Sequence, residues 1–161
     1  MAGTRPRGHA RVREAAAPRY ATGPPPHALT GVLLDSDVII DILRGRGEVV
    51  EALAVLEQRG VPTYCSAIVW AEIYAGVRPG EETLTEAFFG ARGDVVLDAA
   101  TGRQAGHFLG RYGRSHGLEM ADAFVAAAAT TSGLQLWTRN RRHYPMPELR
   151  FYEPRVGEPE P

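Results

Sequence analysis

Short aliphatic runs alternate with longer segments of helical periodicity, and this alternation restricts the folds open to the chain. Short apolar runs bounded by turn residues are typical of buried strands, whereas apolar residues at spacings of three and four predict amphipathic helices. Strands separated by helices favour βαβ crossovers in a mostly parallel sheet covered on both faces. We therefore expect an α/β fold, in which a single domain has a sheet of about four to five short strands with helices on both faces. The strands are predicted at 31–34, 63–65, 94–97 and 134–137, with an edge strand at 149–152.

The helical segments are recognised by apolar spacing and by the residues that stop them. Gly45, Gly60 and Pro79 each follow such a segment. The predicted helices cover 37–43, 48–58, 67–77, 81–89 and 121–131, and a further long helix ends near residue 116.

Composition agrees with one globular domain. The chain has 161 residues, of which 44% are apolar and 23% charged, close to globular averages. Cys65 is the single cysteine, which excludes an internal disulfide framework and a cysteine-rich zinc site. Apolar runs stay well short of the ~18 residues that a membrane-spanning helix needs, and no secretory segment is visible, so the cytoplasm is the expected compartment.

Charge is distributed unevenly along the chain. The net charge is −1, yet residues 1–30 hold five arginines against Glu14 alone, together with a run of prolines. We expect a disordered arginine- and proline-rich tail over 1–30, a folded domain over 31–155 and a frayed C-terminus over 156–161. A targeting peptide or a nucleic-acid-binding arm is the alternative for the first segment. All 18 basic residues are arginine, so no mechanism here uses a lysine.

Three carboxylates occupy positions that ordinary packing explains poorly. Asp35 follows a predicted buried strand, while Glu72 and Asp122 are the sole charges in the apolar segments 67–77 and 121–129. Each has a structural alternative: a helix cap for Asp35, a salt bridge for Glu72 and a favourable helix dipole for Asp122. A bound divalent cation explains all three together, because hard cations prefer oxygen ligands.

Four blocks carry a family resemblance: 33–43, 66–77, 117–128 and 136–145. In order and spacing they resemble the signature blocks of PIN-domain ribonucleases, and more narrowly of VapC toxins from bacterial type II toxin–antitoxin systems. The resemblance implies a catalytic set of acids with a neutral amide at the fourth acidic position, and a small hydroxyl residue that orients the first acid or a metal-bound water. The acids are Asp35, Glu72 and Asp122, the amide is Asn140 and the hydroxyl residue is Ser36.

The implied chemistry is metal-assisted hydrolysis of RNA phosphodiester bonds, with Mg²⁺ or Mn²⁺ held by the three acids. Since an acidic pocket repels phosphate until a metal ion is bound, other residues must bind the RNA. A basic loop beside Asn140 is the first candidate, although a solvated surface loop is the alternative; it comprises Arg139, Arg141, Arg142 and His143. Weaker candidates are Arg114 and His116, and then Arg44 and Arg46.

The resemblance also implies partners. A VapB-like antitoxin would place its C-terminal segment across the active-site groove, and the protein would form a homodimer. Large apolar side chains near the acidic centre are consistent with interfaces or with core packing; they are Trp70, Tyr74, Phe88 and Phe89.

Two other functions stay open on the sequence alone. Residues 35–38 and 93–98 resemble acidic motifs of haloacid-dehalogenase-like phosphatases, in which Asp35 would be the nucleophile, but such enzymes usually use a lysine that this chain lacks. If Asn140 disables the centre, the domain would be a degenerate PIN module that binds without cutting.

Overall fold

The computed structural model describes residues 30–154. The predicted tail at 1–30 and frayed end at 156–161 fall, apart from residue 30, outside the described residues. The strands are β1 (Val32–Leu34), β2 (Thr63–Ser66), β3 (Gly93–Val95) and β4 (Gln135–Trp137). The helices are α1 (Ser36–Leu43), α2 (Gly47–Gln58), α3 (Ala67–Gly76), α4 (Glu82–Gly90), α5 (Ala99–His116) and α6 (Met120–Ser132), and a 3₁₀ turn covers Arg141–His143.

The four strands form one parallel sheet in the order β3-β2-β1-β4. In the registered ladder Val32 lies opposite Thr63 on one side, and Leu33 lies opposite Leu136 on the other. Successive side chains of a strand point to opposite faces, yet all three residues of β1 are buried. Both faces of the sheet are therefore covered, which confirms the predicted α/β fold.

The first residue of β3 must be small because the neighbouring strand brings an aromatic ring against it. Gly93 pairs with Tyr64, and a Cβ atom at position 93 would lie 2.6 Å from that ring. The strand predicted at 94–97 begins one residue earlier than expected, at Gly93, and it ends at Val95.

The predicted edge strand at 149–152 is wrong. Residues there form one isolated parallel bridge, between Phe151 and Leu136. Leu136 donates to the carbonyl of Arg150 and accepts from the N–H of Tyr152, both at 2.8 Å. Proline has no N–H to donate to a ladder, and prolines at 147 and 154 bracket this segment, so the pairing is short.

The two longest helices form an antiparallel pair whose turn lies at the carboxyl edge of the sheet. Gly117, with φ 66°, ends α5, and α6 begins three residues later. At the other end the hydroxyls of Thr101 and Thr131 lie 3.4 Å apart. Because α6 leads into the start of β4, the beginning of α6 lies at the opposite, carboxyl edge. No helix within residues 30–154 is long and apolar enough to cross a membrane.

Candidate metal centre

Asp35 is the first residue beyond β1, at the carboxyl edge of the sheet where ligands bind in parallel α/β folds. Its backbone N–H donates to the carbonyl of Trp137 at 3.0 Å, continuing the pairing with β4. Its Oδ1 accepts from the N–H of Ser36 at 2.8 Å, so Asp35 also caps α1. The side chain is buried, with 7% exposure. Backbone contacts thus hold this carboxylate in place.

Asp122, in the first turn of α6, meets Asp35 through the hydroxyl of Tyr144. That hydroxyl donates to Asp35 Oδ2 at 2.8 Å and lies 3.5 Å from Asp122 Oδ1. Tyr144 is buried. Two of the three predicted acids are therefore brought together, and the residue that joins them was not predicted from the sequence.

Asp37 is a second residue that the sequence did not single out as part of the site. Its Oδ2 accepts from Thr138 Oγ1 at 3.3 Å and from the N–H of Arg139 at 3.0 Å. Its Oδ1 is buried and has no hydrogen-bond partner among the described residues. A buried carboxylate oxygen without a donor is costly, and a cation would remove that cost.

Burial raises the pKa of the three acids at this edge. Burial, and then the charge of Asp37, raise the pKa of Asp35 from 3.8 to about 6, although the Tyr144 hydrogen bond opposes the change. Burial also raises the pKa of Asp37 and that of Asp122, the latter against the attraction of His143. The pKa of the Tyr144 hydroxyl is raised by burial and by the charge of Asp35. Burial therefore disfavours the ionised carboxylates, and a cation bound beside them would stabilise that form.

Glu72 is not joined to this pair. It lies on α3, which contacts α1 and α6, but its side chain is exposed in a cavity between α1, α3 and α4 that Arg44 and Arg78 also line. Among residues 30–154 no three acidic, histidine or cysteine side chains are already arranged to hold a metal ion. The role of Glu72 as third ligand stays a prediction.

Asn140, at the predicted fourth acidic position, contacts its own loop. Its Oδ1 accepts from Arg142 Nε at 3.0 Å, and its Nδ2 lies 3.1 Å from Nε2 of His143. His143 Nδ1 in turn lies 3.4 Å from Asp122 Oδ2. The amide thus touches the acidic centre through the imidazole.

The arginines of the predicted RNA-binding loop are largely engaged. Arg139 pairs with the buried Asp41, which also binds Arg46 at 2.7 Å. Arg141 pairs with Glu153 at 2.7 Å. Ser36 contacts Asp35 through its backbone N–H, so the role predicted for its hydroxyl stays a prediction.

The donor set fits a hard divalent cation. Asp35, Asp37 and Asp122 offer carboxylate oxygens, one of them buried without a donor. Among the described residues, only Asp122 has a basic side chain within ion-pair distance, that of His143. Oxygen-only sets of this kind suit Mg²⁺ and Mn²⁺ better than softer metals.

Fold and site together define a class: single α/β domains with an acidic centre at the carboxyl edge of a parallel sheet. The chain belongs to the PIN domain family, whose model matches residues 32–149. It is 36% identical over 119 residues to Ribonuclease VapC19 of Mycobacterium tuberculosis, covering 73% of this chain and 95% of that protein. The predicted family resemblance is thereby confirmed.

Solved structures agree in fold. A DNA-bound VapBC from Salmonella typhimurium has a TM-score of 0.66 at 19% identity, covering 77% of this chain and 98% of that one. A toxin–antitoxin complex from Klebsiella pneumoniae has a TM-score of 0.61 at 23% identity, covering 74% and 95%. At these identities the likeness concerns the fold alone.

Proposed function

We propose that the protein is a divalent-metal-dependent endoribonuclease that hydrolyses RNA phosphodiester bonds and acts as the toxin of a VapBC-type pair. The observation that carries the proposal is the meeting of Asp35 and Asp122 at one hydroxyl, at the carboxyl edge of a PIN-family sheet. Identity of 36% to a protein named as a ribonuclease supports the activity.

We propose Asp35, Glu72 and Asp122 as the residues that hold Mg²⁺ or Mn²⁺. A divalent cation held there would lower the pKa of a bound water and would stabilise negative charge on the phosphate. The protein holds the carboxylate of Asp35 in a fixed orientation. The N–H of Ser36 fixes one oxygen of Asp35 and the Tyr144 hydroxyl fixes the other.

Asn140 contributes by orientation in this proposal. It lies against His143, which lies against Asp122, so the amide positions the imidazole that faces the third acid. A neutral residue at position 140 is therefore compatible with the proposed activity. Asp37 in addition supplies a further carboxylate beside Asp35.

A VapB-like antitoxin is the proposed protein partner. The cavity beside Glu72 is lined by apolar residues of α1, α3 and α4 together with charged residues. Apolar surface in this lining comes from all three helices, through Ile40, Ile73 and Leu84, the last of which is 57% exposed. Apolar patches to which several residues contribute are typical of protein-interaction sites. The fold neighbours include a toxin–antitoxin complex and a VapBC assembly, which supports a segment of the antitoxin as the occupant.

A homodimer is likewise proposed. Trp70 stacks on Phe89 with centroids 4.1 Å apart and on Tyr74 at 5.7 Å, while Phe88 and Phe89 are buried. Of the four aromatic residues considered for an interface, Trp70 and Tyr74 keep exposed area. Light scattering of the purified protein measures the mass directly.

The positions of the second acidic motif, residues 93–98, argue against the phosphatase alternative. Asp94 accepts from the indole N–H of Trp70 at 3.1 Å, and Asp98 caps α5 by accepting from Thr101 at 2.9 Å. Both acids therefore have structural partners, and β3 is separated from β1 by β2.

The test incubates the purified full-length protein with total RNA and Mg²⁺ or Mn²⁺, beside an EDTA sample. Asp35→Asn is the site variant and Asp98→Asn the matched control, because it makes the same chemical change at a helix cap outside the centre. We expect metal-dependent cleavage that leaves 5′-phosphate ends and that only Asp35→Asn abolishes. Absent cleavage with retained antitoxin binding would favour the degenerate module, and phosphate release from small phosphoesters the phosphatase.

A further inference from the structure

The outer face of α5 carries a row of basic side chains. The helix contains no acidic residue. Four of its five basic residues recur at spacings of three and four, which places those four on one side of the helix. These four are exposed, and we call them the basic face of α5: Arg103, His107, Arg111 and Arg114. The opposite side, with Ala105, Phe108 and Tyr112, is buried against the rest of the domain.

This face differs from the loop that the sequence favoured for binding RNA. Arg139 and Arg141 are paired with carboxylates. Within residues 30–154, by contrast, neither Arg111 nor Arg114 forms a salt bridge with a carboxylate; Arg111 instead lies over the ring of Tyr112, 5.5 Å from its centroid. Asp98 interacts electrostatically with Arg103, so the argument depends on Arg111 and Arg114. Their charges are available to an anion.

The backbone beside these arginines is open. Gly106 and Gly110 lie next to them on the helix and are exposed. A Cβ atom added at either position would meet nothing within 4 Å. A ligand chain can therefore come close to the helix between the arginine side chains, as glycine permits.

The C-terminal end of the basic face lies close to the acidic centre along the chain. Arg103 and Arg114, the first and last residues of this face, are eleven residues apart, roughly 16 Å along the helix axis. Arg114 lies near the turn that connects α5 to α6. Asp122 is in the first turn of α6. Glu119, in that turn, acts on Asp122 through its negative charge and marks the boundary between the basic face and the acidic centre.

We infer that the basic face of α5 binds the sugar-phosphate backbone of substrate RNA and guides it toward Asp122. The inference rests on the proposed function. An acidic centre attracts phosphate poorly, so adjacent uncompensated cations provide the affinity, and phosphate contacts dominate nucleic-acid binding. Single-stranded RNA is favoured over duplex DNA because the face ends at a hydrolytic centre proposed for RNA.

The test measures binding of a labelled single-stranded oligouridylate to the full-length protein by fluorescence anisotropy in EDTA, across a range of salt concentrations. The site variant is Arg111→Gln with Arg114→Gln. The matched control is Arg59→Gln, an exposed arginine at the C-terminus of α2, which precedes β2 and so lies at the opposite edge of the sheet. A second variant, Arg111→Lys with Arg114→Lys, keeps the charge.

We expect the glutamine variant to bind roughly tenfold more weakly and its slope of log affinity against log salt to fall by about 1.4, because each lost phosphate contact removes about 0.7. The lysine variant and Arg59→Gln should bind as the unmodified protein does. Unchanged affinity in the glutamine variant would overturn the inference, as would an equal loss in the lysine variant. Tighter binding of duplex DNA than of RNA through the same arginines would overturn the assignment to RNA.

The two proposals fail separately. If the unmodified protein cleaves RNA with metal but the glutamine variant binds normally, the basic face is wrong and the nuclease stands. If binding falls as expected but no metal produces cleavage, the proposed function is wrong.

Discussion

The hydroxyl of Tyr144 donates a hydrogen bond to Oδ2 of Asp35 at 2.8 Å, joining residues 109 positions apart. The same oxygen lies 3.5 Å from Asp122 Oδ1, so one buried phenol contacts both the acid that follows β1 and the acid in the first turn of α6. The Tyr144 ring packs edge-on against Phe151, with centroids 6.4 Å apart. This contact connects the segment after β4 to the acidic centre.

Tyr144→Phe removes the hydroxyl and keeps the ring. The hydrogen bond lowers the pKa of Asp35, so its loss should raise that pKa further and leave less carboxylate ionised near pH 7. We expect Mn²⁺ affinity, measured by titration calorimetry, to fall roughly fivefold, since such a bond contributes about 1 kcal/mol. Tyr112→Phe, at another buried tyrosine, is the control. Equal Mn²⁺ affinity in the two variants would show that the hydroxyl does not position Asp35.

Stability without metal should depend on pH through Asp35. Its pKa is raised in the folded state to about 6 from 3.8, so the native protein binds more protons than the unfolded chain between these values. The free energy of unfolding should therefore fall as pH rises from 4 to 7, by on the order of 2–3 kcal/mol for this group.

Urea denaturation in EDTA at several pH values measures this effect. Asp35→Asn should flatten the curve between pH 4 and 7, and the variant should be more stable than the unmodified protein near neutrality. An unfolding free energy that rises over this range in the unmodified protein and is unaffected by the substitution would contradict the assignment.

A divalent cation should stabilise the fold by binding the native state alone. At one hundred times the dissociation constant the gain is about 2.7 kcal/mol. We expect Mn²⁺ to raise the melting temperature of the unmodified protein and of Asp98→Asn, and to leave that of Asp35→Asn nearly unchanged. An equal shift in all three would place the ion elsewhere.

The Glu72→Gln substitution tests whether Glu72 is a metal ligand or an ordinary surface carboxylate. Because Glu72 is exposed, its neutralisation should change the metal-free stability by less than about 0.5 kcal/mol. As the third ligand, however, it should weaken Mn²⁺ binding at least tenfold. Glu51→Gln, at an exposed glutamate on α2, is the control. A loss of stability without a loss of Mn²⁺ affinity would favour the salt-bridge alternative.

The sequence predicts those parts of the fold that depend on local pattern. Aliphatic runs locate β1 and β4, and the end predicted near residue 116 for the long helix agrees with the end of α5 at His116. Asp35 was predictable as a site residue because it directly follows a buried strand. The strand at 149–152 was overpredicted, since its apolar residues pack through side chains, such as Tyr152 on Trp137, with a single bridge of backbone pairing.

The contacts within the centre could not be predicted, because they join distant segments. Tyr144 follows a 3₁₀ turn in a loop, and no local pattern shows that its hydroxyl reaches Asp35. Asp37 lies in the first turn of α1, where the helix dipole is a sufficient explanation for an acid. The pairing of Arg139 with Asp41 spans 98 residues, and it removes charge that the sequence alone assigns to RNA.

Diffraction from crystals soaked in Mn²⁺, with data collected at an anomalous wavelength, tests the metal centre most directly. We predict one or more anomalous peaks at the carboxyl edge of the sheet, with oxygens of Asp35, Asp122 and Glu72 at about 2.1 Å from the ion. Glu72 would have turned from its exposed position toward the other two. A peak bound elsewhere, or clear density for Tyr144 between Asp35 and Asp122 with no ion at saturating Mn²⁺, would contradict the account.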